Sequence, residues 1–263
     1  MRTKLLAQLE SLPSLAVAFS GGVDSTLLLS LAVEALGERA LAVTAVSPIH
    51  TRREIADAID LAGRMRCRHL LLRSLEMECP EFYRNPSDRC YVCKQALLRQ
   101  IQTAAARRGF SCLAHGANVD DQADYRPGLR AADELGVMAP LAAAGMTKTM
   151  IRQLARERGL ANWDRPAMAC LATRIPHDTP ITLALLDRIA AAEECLRQHG
   201  FVGPRVRCHG DVARIECREA DLARMLDPSI RAQLIRGFKA VGFRYVAMDL
   251  EGYRPGSMNP LAS

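Results

Sequence analysis

The chain has 263 residues, enough for one large or two modest domains, and its 49% apolar and 24% charged content fits a globular protein with a real core. No apolar run approaches the roughly 18 residues that cross a bilayer, and Met1-Arg2-Thr3-Lys4 leads into a short amphipathic helix rather than a signal segment, so a cytoplasmic location without a membrane partner is expected. The net charge of +6 suits a small anionic substrate; with only 6 Phe, 5 Tyr and 1 Trp there is little surface for stacking bases, so nucleic acid is permitted by charge but not indicated.

Residues 15–19 are an apolar run expected as a buried strand. Ser20-Gly21-Gly22-Val23-Asp24-Ser25 follows and passes into an apolar-periodic helix over 26–36. Two glycines let the backbone approach an anion, and the N–H groups of the turn and helix start carry partial positive charge. The hydroxyls of Ser20 and Ser25 can add hydrogen bonds to phosphate oxygens, and Asp24 can hold magnesium. The spacing is neither that of the Walker loop nor G-x-G-x-x-G. An ordinary glycine turn with a serine N-cap is the plain alternative. The six residues resemble the pyrophosphate-binding loop (PP-loop) of ATP pyrophosphatases, enzymes that split ATP into AMP and pyrophosphate.

Strands are next expected over 40–46, 69–73 and 113–116, and helices over 52–65, 92–107 and 148–158. Strands separated by helices of this length imply right-handed crossovers and a parallel sheet covered on both faces. A nucleotide then lies beyond the carboxyl ends of the strands, where residues 20–25 stand.

Nine cysteines without a signal segment argue for metal or thiol chemistry at some of them rather than a disulfide framework. Cys90 and Cys93 stand three apart at a helix start, which favours their thiolates. Cys170 follows 77 residues after Cys93, near the handover to a second domain. Four readings stay open: a zinc site with His177 as fourth ligand, a redox dithiol of Cys90 and Cys93, a coincidence of buried thiols, and an iron–sulfur cluster on three thiolates with one open iron. Cys67, Cys79, Cys112, Cys195, Cys208 and Cys217 carry no readable role.

Residues 118–130, after the fourth strand, hold three aspartates and two arginines, among them Asp124 and Arg126, suited to magnesium and a nucleotide or to a solvated loop. Thr147 is a good N-cap, and Lys148 in the first turn opposes the helix dipole, a placement that a bound phosphate would explain. After the proline-rich connector 175–180 the pattern changes to a helix over 182–198, short strands at 205–208, 212–217 and 245–250, and a helix over 220–236. The expected organisation is a parallel-sheet α/β domain over 1–175 and a smaller α+β domain over 176–263.

Taken together, SGGVDS, Asp124-Tyr125-Arg126-Pro127-Gly128, Trp163-Asp164-Arg165-Pro166-Ala167 with Cys170, Arg205-Val206-Arg207 with His209, Ala213-Arg214-Ile215-Glu216 and Gly242-Phe243-Arg244-Tyr245-Val246 resemble the LarE-type sulfur transferases of nickel-pincer nucleotide synthesis. The resemblance runs from about residue 4 to 260. It implies a HUP-like PP-loop ATP pyrophosphatase domain and ATP and magnesium as cofactors. Ser20, Gly21, Gly22, Asp24, Ser25, Asp124, Arg126 and Lys148 would contact the nucleotide. The implied reaction adenylylates a carboxylate of pyridinium-3,5-biscarboxylic acid mononucleotide, after which sulfur displaces AMP. Arg174, Arg205 and Arg207 would hold that substrate. In one branch a cysteine matching Cys170 gives up its own sulfur. The favoured branch uses Cys90, Cys93 and Cys170 to hold a [4Fe-4S] cluster that delivers added sulfide, from a donor the sequence does not name. Glu193 and Glu216 match metal-binding carboxylates of the single-cysteine members, but a third such position is Arg224, which puts that metal site in doubt. A homo-oligomer, a hexamer in the family, is implied by resemblance only. A tRNA thiolase and an adenine-nucleotide sensor are the alternatives.

Overall fold

The protein is described by a computed structural model covering residues 2–122, 127–166, 168–254 and 257–258. In chain order it runs α1 (Arg2–Glu10), β1 (Leu15–Ala18), α2 (Val23–Leu36), β2 (Ala40–Val46), α3 (Arg52–Arg64), β3 (Arg68–Arg73), α4 (Pro80–Arg84), α5 (Arg89–Ala106), β4 (Cys112–Ala114) and α6 (Val119–Gln122). There follow α7 (Pro127–Glu134), α8 (Pro140–Ala143), α9 (Lys148–Glu157), α10 (Leu183–Gln198), β5 (Arg205–His209), β6 (Val212–Glu216), α11 (Glu219–Met225), α12 (Pro228–Ala240) and β7 (Tyr245–Met248). The chain divides into two compact units, Met1–Cys79 with Asp88–Met168, and Pro80–Ser87 with Ala169–Ser263.

The first unit is mixed α/β around a four-stranded parallel sheet in the order β3-β2-β1-β4. Alternation along the strands divides its interior in two. Leu15 and Val17 of β1 and Ala40 and Ala42 of β2 join the core made with α1, α2, α3 and α9. Ala16, Leu41 and Val43 join the core made with Leu98, Ile101 and Ala105 of α5. A period of two sends alternate side chains to opposite faces, so both faces are covered by helices. In α2, Leu27, Leu28, Leu29 and Leu31 are all fully buried, each worth about 1.5–3 kcal/mol relative to exposure. The order reverses between β1 and β4, so the residues after these two strands flank the sheet's switch point.

The second unit carries β5 antiparallel to β6 and β6 parallel to β7. Leu186, Ile189, Ala192 and Leu196 form the buried stripe of α10. The excursion Pro80–Ser87 is tied to the connector after Cys170: Asn85 Nδ2 donates to Pro176 O at 2.7 Å and to Thr179 O at 2.9 Å, and Ile181 N donates to Tyr83 O at 2.9 Å. Asn85 is fully buried at φ 60°, a left-handed conformation that asparagine tolerates.

Helix α2 begins at Val23 rather than 26 and β7 ends at Met248 rather than 250, and three further differences from expectation have a visible structural setting. Helix α5 begins at Arg89 rather than 92, so both Cys90 and Cys93 lie within it. Strand β4 stops at Ala114 rather than 116, and its outer edge is met by a single parallel bridge: His115 N donates to Met138 O and Met138 N to Leu113 O, both at 2.9 Å. The single helix expected over 220–236 is two, broken at Asp227-Pro228. Proline has no N–H to continue the ladder, and Asp227 Oδ1 accepts from Ser229 N at 2.9 Å and Ile230 N at 3.0 Å to start α12. Among the described residues no helix is long and apolar enough to cross a membrane.

Candidate functional site

The turn between β1 and α2 is built so that only glycine fits its second position. Gly21 has φ 74°, and a Cβ there would stand 3.2 Å from both Cα and Cβ of Ala58 on α3. The N-cap of α2 is Gly22, which supplies no side-chain bond to the helix start. The first amides of α2 therefore have no side-chain cap competing for them. Ser20 and Ser25 hydroxyls lie 3.3 Å apart; Ser20 Oγ accepts from Gly22 N at 3.3 Å and Ser25 Oγ donates to Gly22 O at 3.1 Å. From outside, Asn162 Nδ2 donates to Gly21 O and to Thr26 Oγ1, both at 2.9 Å. Asn162 is 2% exposed, and its Oδ1 is buried without a partner.

Residues after β4 close on the same turn. A Cβ on Gly116 would stand 2.7 Å from Ser25 N, so the backbone there lies directly against the start of α2. Asn118 Nδ2 reaches Asp24 Oδ1 at 3.4 Å, and Asn118 Oδ1 accepts from Asp120 N at 2.9 Å. Lys148 Nζ donates to Asp24 Oδ2, and Lys148 N donates to Asp120 Oδ2 at 2.7 Å. Asp120 and Asp24 thereby offset the lysine's unfavourable place at a helix start. The structure thus gathers Ser20, Gly21, Gly22, Asp24, Ser25 and Lys148. Asp124 and Arg126 lie outside the described residues.

His115, beside Gly116, was not singled out by the sequence. Its imidazole is pushed down to about 4 by burial, with the Lys94 ammonium acting in the same direction. Its Nε2 is buried without a partner.

Cys90 and Cys93 are half-buried in the first turn of α5. That turn is fastened to α7. A Cβ on Gly128 would stand 2.9 Å from Lys94 Cγ and 3.6 Å from Cys90 O. Tyr91 OH donates to Glu134 Oε2 at 2.5 Å, and the Arg130 guanidinium lies 4.1 Å from the Tyr91 ring centre.

Cys170 belongs to the second unit and precedes a single 3-10 turn, Leu171–Arg174. Its carbonyl accepts from Thr173 Oγ1 at 2.8 Å and Arg174 Nη1 at 2.9 Å. Arg174 is 2% exposed; its Nη1 also donates to Ala169 O at 2.7 Å, and its Nε donates to Glu193 Oε1 at 2.8 Å. Arg207 Nη1 donates to Thr173 O at 3.1 Å, and Arg207 Nη2 to Glu216 Oε2 at 2.6 Å. Arg205, beside them, has its guanidinium 5.4 Å from the Tyr253 ring centre, and burial lowers its pKa, helped by the Arg174 charge. Arg174 and Arg207 are thus engaged with buried carboxylates while framing the Cys170 turn. Glu193 also meets Arg197 at 3.7 Å and Glu216 meets Arg214 at 3.2 Å; Arg224 donates to the carbonyls of His199 and Gly200.

Three thiolates are the right donor chemistry for an iron–sulfur cluster. Among the described residues, however, no group of three or more His, Cys, Asp and Glu side chains gathers to hold a metal ion. Two cysteines come from one unit and the third from the other.

No family model matches the chain. It is 40% identical over 243 residues to an uncharacterized protein of Synechocystis, covering 92% of this chain and 91% of that relative. It is 30% identical over 238 residues to an uncharacterized protein of Methanocaldococcus jannaschii, covering 90% of each. To the pyridinium-3,5-bisthiocarboxylic acid mononucleotide synthase of Lactiplantibacillus plantarum it is 37% identical over 259 residues, covering 98% of this chain and 93% of the synthase. With that likeness along nearly its whole length, the chain belongs to the family of this synthase.

Proposed function

We propose that the protein is an ATP-dependent sulfur transferase that converts carboxylates of pyridinium-3,5-biscarboxylic acid mononucleotide into thiocarboxylates. The observation that carries this is the likeness, across 98% of the chain, to a synthase named for a pyridinium bisthiocarboxylic acid mononucleotide. An ionised carboxylate is a poor electrophile, and its oxygen leaves only once it is activated. Attack of that oxygen on the α-phosphorus of ATP expels pyrophosphate and forms an acyl adenylate. A sulfur nucleophile then attacks the acyl carbon, and AMP leaves with the oxygen.

The glycine turn and the start of α2 suit the pyrophosphate, Asp24 a magnesium ion, and Lys148 the phosphate charge. Asp124 and Arg126 would add nucleotide contacts. Arg205 would meet the substrate's phosphate or carboxylate, with Arg174 and Arg207 beside it holding the Cys170 turn. A [4Fe-4S] cluster on Cys90, Cys93 and Cys170 would supply an open iron for an added sulfide. These cysteines follow two of the three points where the chain passes between its units, after Ser87 and after Met168.

A second reading needs a single thiol, and Cys170 stands in the second unit while Cys90 and Cys93 stand in the first. In it Cys170 Sγ displaces AMP to form a thioester. Loss of the Cα proton to a base then breaks the Cβ–Sγ bond, leaving dehydroalanine and the thiocarboxylate.

The test is pyrophosphate and AMP release from ATP with and without the pyridinium mononucleotide. Release that requires it, with thiocarboxylate formed, supports the function. Release that requires tRNA instead points to a tRNA thiolase, and ATP binding without turnover points to a nucleotide sensor.

A further inference from the structure

Behind the glycine turn, two side chains from neighbouring strands converge on one backbone carbonyl. Phe19 continues the ladder beyond β1, its N–H donating to Val43 O at 2.8 Å. Its carbonyl accepts from Thr44 Oγ1 of β2 at 2.7 Å. Thr44 Oγ1 lies 2.8 Å from His69 Nε2 of β3. A carbonyl only accepts, and a hydroxyl has one proton to give. Thr44 therefore gives its proton to Phe19 O and accepts from His69, which fixes the imidazole as the Nε2–H tautomer. The same ring packs edge-on against the Phe19 ring, with centres 6.0 Å apart and planes at 77°. Phe19 is 2% and Thr44 4% exposed, so water does not compete for these bonds.

The peptide joining Phe19 to Ser20 is planar, with its C=O and the Ser20 N–H pointing in opposite directions. Fixing the carbonyl fixes the amide, and this amide is the first of the turn. We propose that His69, acting through Thr44, is a positioning residue for the nucleotide turn, setting the plane of the Phe19–Ser20 peptide before phosphate arrives. The role in turnover rests on the nucleotide reading above; the tautomer and the clamp do not.

The experiment compares the full-length protein with Thr44→Val, His69→Phe and Thr44→Ser. Nitrogen-15 shifts of the wild-type His69 ring should show a protonated Nε2 and a bare Nδ1. Without nucleotide, the Ser20 amide should exchange with solvent faster in Thr44→Val and His69→Phe than in the wild type or Thr44→Ser. With ATP and the pyridinium substrate, the first two should raise KM for ATP by about tenfold, as expected for one neutral hydrogen bond. Their kcat should stay within about twofold, and Thr44→Ser should keep the wild-type KM, because its hydroxyl makes both bonds. A purely structural role would lower melting temperature without changing KM for ATP in the folded protein. That result overturns the proposal, as does a protonated Nδ1. If His69→Phe fails to fold, Thr44→Val decides. If wild-type protein turns over no ATP, the nucleotide reading fails, while ring shifts and amide exchange still judge the clamp.

Discussion

Lys148, the first residue of α9, is paired with Asp24 in the first turn of α2, so two helix starts are joined by one ion pair. Their side chains are 30% and 21% exposed, and a partly solvated pair of this kind adds no more than about 1 kcal/mol to folding. In the proposed reaction each charge takes another partner, magnesium at Asp24 and phosphate at Lys148. Lys148→Met and Asp24→Asn should each cut pyrophosphate release by about 100-fold while hardly moving the melting temperature. Wild-type release from Asp24→Asn would remove this pair from the mechanism.

Asn162 grips the turn from a distant part of the chain through Gly21 O and Thr26 Oγ1. Asn162→Ala leaves a buried carbonyl and a buried hydroxyl short of a donor, at a cost of about 1–3 kcal/mol. Asn162→Asp should cost more, since a carboxylate would face a carbonyl it cannot bond. Urea unfolding of both variants, followed by ATP titration of the folded protein, checks this. Asn162→Asp more stable than Asn162→Ala would show that the amide is not donating there.

The turn was legible in the sequence because every signal for it is local. An apolar run, two glycines and an apolar-periodic helix lie within residues 15–36. Asn162 was not legible, since its partner is a backbone carbonyl 141 residues away, and a carbonyl leaves no mark on the sequence. Thr44 and His69 were hidden for the same reason: they read as ordinary strand residues until β1, β2 and β3 are set side by side. The break at Asp227-Pro228 is marked by the proline, but apolar periodicity runs on through it and masks the stop. Cys90 and Cys93 were legible as a pair at one helix start; their relation to Cys170 depends on how two compact units meet, which spacing does not encode.

His115 links the site to pH. Its folded imidazole titrates at about 4 against 6.5 in an unperturbed chain. Between these values the unfolded protein holds the extra proton. The stability contributed by the neutral ring is therefore complete above 6.5 and is lost as pH falls toward 4. Burial pushes His50, His69 and His209 in the same direction, so the comparison must isolate one ring. Relative to His115→Gln, the wild type should lose up to about 3 kcal/mol on going from neutral pH to about pH 4. Parallel stability curves for the two proteins would show that the ring is solvated.

Arg174 and Glu193 are 3% and 2% exposed at the side chain, and Arg174 also holds the carbonyls of Ala169 and Cys170. Removing one partner strands the other charge, so Arg174→Met should destabilise the protein by about 3–5 kcal/mol. The double variant Arg174→Met with Glu193→Leu should recover much of that loss, because both charges are then gone. Cys170 should be alkylated faster in both, since its turn loses the Arg174 bonds either way. Thermal unfolding and timed labelling measure these two effects separately; unchanged labelling in both variants would mean the arginine does not hold the turn.

The cysteines separate two routes of sulfur delivery by what remains after turnover. If Cys90, Cys93 and Cys170 hold a cluster, anaerobic reconstitution should load about four irons per chain with acid-labile sulfide, and Cys90→Ala should load none. The same Cys90→Ala protein should still release pyrophosphate, because in the proposed reaction no thiol takes part in adenylylation. If Cys170 donates its own sulfur, iron is irrelevant, and Cys90→Ala should form thiocarboxylate once per chain. Intact mass after the reaction should then show the loss of one hydrogen sulfide, placed at residue 170 by peptide mapping. Iron bound equally by the wild type and Cys90→Ala would exclude the three-thiolate cluster. An intact Cys170 after many turnovers would exclude the sacrificial route.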